Sequence, residues 1–247
     1  MQIIYGKNSV ETYIQYAPNL VFEILLYSGV TEKTLKEVEA LAVKAKISYR
    51  MIEKKELSKL VDGKAVHQGI CAKVKDFEYR DIHEVLGDVK ASGKIPFFIL
   101  IDQMQDPRNL GAILRTADCT GIVDGIIITE HNSCDVSAAA IKTSTGAALN
   151  IPVIKVKNSK SIIDLLKKEG IWICGVDMVG AQTYRKQAYD MPLCLVIGGE
   201  DKGIRPIIKR EMDFNVYIPM HSKTVNSLNV SVATSLLVYE VMHQRME

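Results

Sequence analysis

Six apolar runs between residues 95 and 219 constrain this chain more than any other feature. They are "IPFFILID" (95–102), "GIIIT" (125–129), "IPVIKV" (151–156), "IWICGVD" (171–177), "LCLVIGG" (193–199) and "FNVYIP" (214–219). A strand that is apolar at successive positions must be covered on both faces, the usual setting of a parallel strand. Parallel strands need crossovers, and helical patterns stand between or after most of the runs: 110–120, about 135–142, 159–169, a short piece after Ile204, and the C-terminal stretch. The expectation is an α/β domain over residues 95–247, with a mostly parallel sheet and helices on both faces. In such sheets ligands gather at the carboxyl ends of the strands.

Residues 1–75 read as a smaller α/β unit. Strands are expected at 3–5, 20–26, 47–52 and 69–74. Helices are expected after Asn8, at 31–45 and at 54–61. The helix at 31–45 places Leu35, Val38, Leu41 and Ala42 on one face. Residues 76–94, charged and weakly periodic, read as a linker with a helical turn or two. The chain carries 47% hydrophobic and 24% charged residues, near the globular average. No apolar run approaches the roughly 18 residues of a membrane helix. Met1–Val10 lacks a charged start followed by an apolar core, which argues against a secretory signal. Five cysteines without a CxxC pair argue against zinc or a disulfide framework, and fit buried free thiols in a reducing cytoplasm. Net charge is only +2, with a slight basic excess in residues 1–80 (13 Lys/Arg against 10 Asp/Glu). Such an excess favours a phosphate backbone as readily as it makes a solvated surface.

Three loops after strands concentrate the chemistry. In "DQMQDPRNLGAILRTADCTG" (102–121), Asn109 or the bend before it opens a helix. Gly111 allows close approach to its backbone. Arg115 is placed about one turn in. In "LVIGGEDKGIRP" (195–206), paired glycines follow a buried strand and precede Glu200. The spacing is neither a Walker loop nor GxGxxG. In "YIPMHSKTVNSLNVSVATSLLVYEV" (217–241), Leu228, Val230 and Val232 alternate like a strand, while Val230, Ala233, Leu237 and Val241 recur at helical spacing. The reading is a helix opening at Ser227 or Asn229. Its small hydroxyl residues keep the first turn narrow, and Leu236, Leu237 and Val241 anchor it in the core. His221 beside Ser222 makes no hydrolase, since no G-x-S-x-G elbow is present.

Taken together, "NLGAILRTADCTG", "IGGEDKG" and "IPM…NSLNVSVA" resemble, in order and spacing, the three motifs of the SpoU (TrmH-like) RNA ribose methyltransferases. "IIYGKNSV" (3–10) and "GKAVHQGICAKV" (63–74) resemble the N-terminal substrate domain of the RlmB-type branch, so the resemblance covers nearly the whole chain. The least typical stretch is "HSKTV" (221–225), which bears on fine substrate contacts.

The resemblance implies a C-terminal domain of SPOUT type with a deep trefoil knot, and a ribosomal-protein-like RNA-binding domain before it. It implies S-adenosylmethionine as cofactor, held by Gly198, Gly199, Ile218, Met220 and Leu228 largely through backbone, with no metal. It places Arg115 at the ribose 2′-hydroxyl, with Asn109, Glu200, Ser227 and Asn229 as orienting groups. Arginine holds its proton too tightly to be a ready base, which favours phosphate binding and oxyanion stabilisation for Arg115; proton removal by a deprotonated Arg115 stays open. The resemblance further implies a homodimer whose site is completed across the interface, and a guanosine of large-subunit ribosomal RNA as substrate. A transfer-RNA methyltransferase, a resistance rRNA methylase and a non-catalytic ribosome-assembly protein are the competing readings.

Overall fold

Phe97–Asp102, strand β5 of this computed structural model, is buried at all six positions and lies inside a seven-stranded sheet. The structure describes residues 1–60, 67–177, 181–199, 203–222, 224 and 227–246. The chain divides into two compact units, 1–78 and 79–247.

The first unit has strands β1 (Gln2–Tyr5), β2 (Val21–Tyr27), β3 (Ser48–Ile52) and β4 (Ile70–Val74), and helices α1 (Lys7–Tyr16), α2 (Glu32–Ala45) and α3 (Lys54–Leu60). The sheet order is β1-β4-β2-β3, with only β2 and β3 parallel. Alternation sends Leu25 of β2 to one face, where it packs with Ile52, Leu57 and Cys71. Helix α1 starts at Lys7 rather than after Asn8. Its N-cap residue, Gly6, has no side chain to offer, and the Gln68 Oε1 atom accepts from Lys7 N at 3.1 Å instead. Gln68 itself is held at φ 51°, and a Cβ on the neighbouring Gly69 would lie 2.4 Å from Val30 Cγ1. "IIYGKN" and "HQGI" therefore meet in space, and Gly6 and Gly69 each hold a positive φ there, 87° and 77°. Part of the basic charge of this unit is neutralised locally. Lys7, Lys36, Arg50, Lys73 and Lys75 all sit in ion pairs with glutamates.

The stretch 76–94, expected as a linker, contains an 11-residue helix α4 (Ile82–Ser92), and the unit boundary falls after Glu78. Asp81 caps α4 by accepting from His83 N and Glu84 N, and Gly93 ends it at φ 68°. Ile82, Val85, Leu86 and Val89 form one face and enter the main core. The remaining elements are α5 (Pro107–Thr120), β6 (Gly125–Thr129), α6 (Ala138–Thr143), β7 (Val153–Val156), α7 (Ser159–Lys168), β8 (Trp172–Val176), β9 (Gln182–Thr183), β10 (Leu193–Gly198), α8 (Pro206–Lys209), β11 (Phe214–Tyr217) and α9 (Val230–Met246). All strand pairs are parallel, in the order β7-β6-β5-β10-β8-β11-β9. Helices α4, α7 and α8 share a core with Phe98, Leu100, Ile127, Ile173 and Val196. The alternate residues Phe97, Ile99 and Ile101 face the other way, and α5 contacts both α6 and α9.

Helix α5 starts at Pro107, in the bend before Asn109 where its opening was expected, and three residues before the start of the helical pattern at Leu110. Asp106 caps it by accepting from Arg108 N at 2.8 Å, and Pro107 takes the first helical position. Gly111 does allow a close approach, by protein rather than ligand: an added Cβ would lie 2.6 Å from the Ala140 carbonyl oxygen and 2.8 Å from Thr143 Cβ. Gly111→Ala is expected to push α5 and α6 apart and cost about 1–3 kcal/mol, read as a lowered midpoint in urea. An unchanged midpoint would show that the two helices separate freely.

All five cysteines are free, but only Cys71, Cys174 and Cys194 are buried. Cys134 is half-buried and Cys119 exposed, against the expectation of uniform burial. Burial pushes the Cys71 thiol up to about 11 and the Cys194 thiol to about 12, which leaves both inert. Among the described residues no helix is long and apolar enough to cross a membrane, and no group of His, Cys, Asp and Glu could hold a metal ion.

Candidate functional site

The strand order defines one switch point. From β5 the chain runs outward through β6 and β7, then crosses to β8, and β10 is inserted between β5 and β8. Adjacent strands β5 and β10 end together, Asp102 opposite Gly198. The crevice beyond the carboxyl ends at such a point is where open α/β sheets bind ligands. A cavity of 590 Å³ opens beside it, bounded by the ends of β8, β10 and β11 and by the start of α9. That volume is in the range of small-molecule sites.

Its walls include Gly198, Gly199, Ile218, Met220 and Leu228, so all five residues expected to hold a cofactor meet at one cavity. Ser227 and Asn229 also line it. The glycines do not adopt the left-handed backbone of a tight turn; only Gly203 does, at φ 62°. They are needed because backbone segments stack there. A Cβ on Gly198 would lie 2.1 Å from the Gly203 carbonyl carbon, and one on Gly199 would lie 2.4 Å from the Gln103 carbonyl oxygen. Sequence reasoning missed Val176, Asp177 and Tyr217, which line the cavity from the ends of β8 and β11. The signal was available, since each ends a predicted parallel strand. Asp177 is ion-paired with Lys209 of α8.

Asn229 caps α9. Its Oδ1 accepts from Ser231 N at 2.9 Å and from Ser231 Oγ at 2.6 Å. Its Nδ2 donates to Asn109 Oδ1 at 3.1 Å. That bond ties the cavity to the N-terminus of α5, where Asn109 is buried. The small residues of α9 let α5 pack closely, with Thr116 and Ser235 hydroxyls 2.8 Å apart. Leu237, Val238 and Val241 anchor the helix; Leu236, expected among the anchors, is 40% exposed. Arg115 is the ninth residue of α5, more than two turns in rather than about one, and its side chain is exposed. It lines no part of the cavity and makes no hydrogen bond or ion pair among the described residues. Glu200 lies outside the described residues. His221 and Ser222 are exposed on the loop before α9.

The sequence reading also passed over Arg205. Its guanidinium grips the fully buried Asp102 carboxylate, Nη2 to Oδ1 at 2.6 Å and Nε to both oxygens at 3.0 Å. This hydrogen bonding raises the arginine's pKa above its ordinary value, against the opposing effect of burial.

The sequence matches the SpoU rRNA Methylase family over residues 96–239. The chain belongs to the SpoU methylase family. Residues 3–80 of this SpoU chain match a second family, described as RNA 2′-O ribose methyltransferase substrate binding. A Staphylococcus aureus protein named for the TrmH family of tRNA/rRNA methyltransferases is 38% identical over 98% of this chain and 96% of its own length. The similarly named YacO of Bacillus subtilis is 35% identical over 98% of this chain and 95% of its own. Among solved structures, the SpoU methyltransferase AviRb of Streptomyces viridochromogenes superposes with a TM-score of 0.68 at 20% identity, over 99% of this chain and 90% of that one. A second structure of AviRb, in complex with AdoMet, superposes at 0.67 with the same identity and coverage. The SpoU fold is thus established for both units, and the trefoil knot at the end of the sheet follows from that fold.

Proposed function

We propose that this chain transfers a methyl group from S-adenosylmethionine to the ribose 2′-hydroxyl of a guanosine in large-subunit ribosomal RNA. The observation that carries the reading is the cavity at the carboxyl ends of β8, β10 and β11, joined through Asn229 and Asn109 to the helix that bears Arg115. The cavity fits the cofactor in size and in chemistry. Its glycine backbone and the side chains of Ile218 and Leu228 suit a nucleoside, and it needs no metal ligand. When bound, the cofactor supplies a methyl group already activated by its sulfonium.

The protein's own groups do the rest. The Asn109 and Asn229 amides hold each other in register and orient the ribose. Ser227 offers a hydroxyl at the cavity wall. Arg115 binds the phosphate beside the reacting ribose through its planar fork and stabilises the oxygen as negative charge develops there. Unit 1–78 supplies RNA binding, in keeping with the substrate-binding family it matches. The protein acts in the cytoplasm as a homodimer. The exposed apolar stripe Val232, Leu236 and Tyr239 on α9 is the face a second copy would cover. A dimer built on that stripe also brings α5, packed beside α9, to the interface.

The relatives are named for both tRNA and rRNA, so substrate is the point to test. Labelled methyl from S-adenosylmethionine should appear in unmodified large-subunit rRNA, in an alkali-resistant dinucleotide. Label confined to bulk tRNA would keep the chemistry and replace the substrate. No label and no cofactor binding would leave an RNA-binding assembly protein.

A further inference from the structure

We propose that Arg205, Asp102 and Ser159 form a latch that positions the glycine turn of the cavity, and that this latch sets the affinity of the site for its cofactor. The inference rests on the S-adenosylmethionine reading above.

The turn is held from two sides. On one side, Gly198 is the last residue of β10 in register with β5. On the other, Gly203 N donates to Gly199 O at 3.1 Å, and Gly199 and Gly203 form an antiparallel bridge. Two residues later Arg205 turns back to Asp102, the residue paired with Gly198. Its backbone N–H donates to Asp102 Oδ2 at 3.2 Å, in addition to the guanidinium bonds. Ser159, at the start of α7 and 2% exposed, closes the cluster. It accepts from Arg205 Nη2 at 2.9 Å and donates to Asp102 Oδ1 at 3.3 Å. Three separate elements, the end of β5, the start of α7 and the segment before α8, are thereby fixed to one carboxylate.

None of the three residues lines the cavity, while Gly198, Gly199 and Gly203 all do. They are positioning residues and touch no reacting atom. The stacking of Gln103, Gly198–Gly199 and Gly203–Ile204 leaves no space for a Cβ, so a small shift of Gly203 is transmitted directly to the cavity wall. A buried carboxylate at the end of a central strand is costly unless paired, and stability alone is served as well by apolar packing. A forked arginine pair fixes direction as well as distance, which is what a backbone-lined site requires.

The test uses the full chain with Arg205→Ala, Arg205→Lys and Ser159→Ala, the last two covering the case in which Arg205→Ala fails to fold. Calorimetric binding of S-adenosylmethionine is measured beside hydrogen exchange of the peptides flanking Gly198 and Gly203 in the ligand-free protein, the thermal midpoint, and KM for RNA. Arg205→Ala should weaken cofactor binding by about tenfold or more, with Arg205→Lys recovering part of the loss and Ser159→Ala lying between wild type and Arg205→Ala. Exchange should rise at the glycine turn, and KM for RNA should hold. Affinity within about twofold of wild type in every variant, with local exchange unchanged, would overturn the latch whatever happens to the midpoint. If the wild-type chain binds no S-adenosylmethionine, the cofactor reading falls, and exchange decides alone: raised exchange at the turn upholds the latch, and unchanged exchange removes it.

Discussion

Arg115→Ala is expected to slow methyl transfer by about 10²–10³-fold while cofactor affinity stays within about threefold of wild type. The split follows from position. Arg115 is exposed on α5 and lines no part of the cavity, so the cofactor loses no contact when it is removed. It also has no partner among the described residues, unlike nearby Arg108, which is paired with Asp106. An exposed side chain with no partner contributes within about 0.5 kcal/mol to folding, so the thermal midpoint should not move. Arg115→Lys separates two roles. If the guanidinium binds phosphate as a fork, lysine recovers only a small part of the rate; if charge alone matters, it recovers most of it.

The same residue tests the dimer. Asn229 stands at the cavity and Arg115 does not, so mixed dimers of Arg115→Ala with Asn229→Ala discriminate two arrangements. If each site takes Arg115 from the other copy, a mixed dimer keeps one intact site and both parents are inactive. If each chain serves its own site, mixing restores nothing. Equal losses of rate and cofactor affinity in Arg115→Ala would remove the assigned role altogether.

What the sequence disclosed, and what it hid, divides along physical lines. The central strands were legible because burial on both faces demands unbroken apolar runs, and β5 and β10 fall where "FFILID" and "LCLVIG" predict. The two-residue β9 was not, since a polar edge strand carries no pattern of its own. Helix α4 was read as linker because its charged residues obscured the spacing of Ile82, Val85, Leu86 and Val89, which is nevertheless helical. At the site, the glycines pointed to close backbone approach, but only coordinates reveal that the approaching groups are Gly203, Ile204 and Gln103. The Asp102–Arg205 pair spans 103 residues, and nothing in either local stretch announces it. The same holds for Asn229 with Asn109, 120 residues apart, whose meeting follows from a fold that the resemblance implied and the pattern did not.

Arg245→Ala is expected to cost about 3–5 kcal/mol in the second unit, because it strips several backbone carbonyls of a charged donor at once and removes a half-buried side chain from the last turn of α9. Its guanidinium donates to four backbone carbonyls: Tyr189 O at 3.0 Å, Ile95 O at 2.9 Å, Pro96 O at 3.3 Å and Met191 O at 2.8 Å. It also lies over the Phe97 ring, 5.2 Å from the centroid. Burial lowers its pKa, with Asp124 and Asp190 pulling the other way, so the charge is retained at a desolvation cost that the carbonyls must offset. Those carbonyls lie just before β5 and β10, so Arg245 bolts the C-terminal end of α9 to the N-terminal ends of the two central strands. Lysine has the charge but not the planar fork, and should recover less than half of the loss. At about 2–4 °C per kcal/mol, the midpoint of this unit should fall by roughly 6–20 °C. Well below that midpoint, methyl transfer should stay within about threefold of wild type, because the other end of α9 is held independently by Asn229 on Asn109 and Ser235 on Thr116. A variant that unfolds normally yet loses cofactor binding in the cold would instead make the C-terminal anchor part of the site.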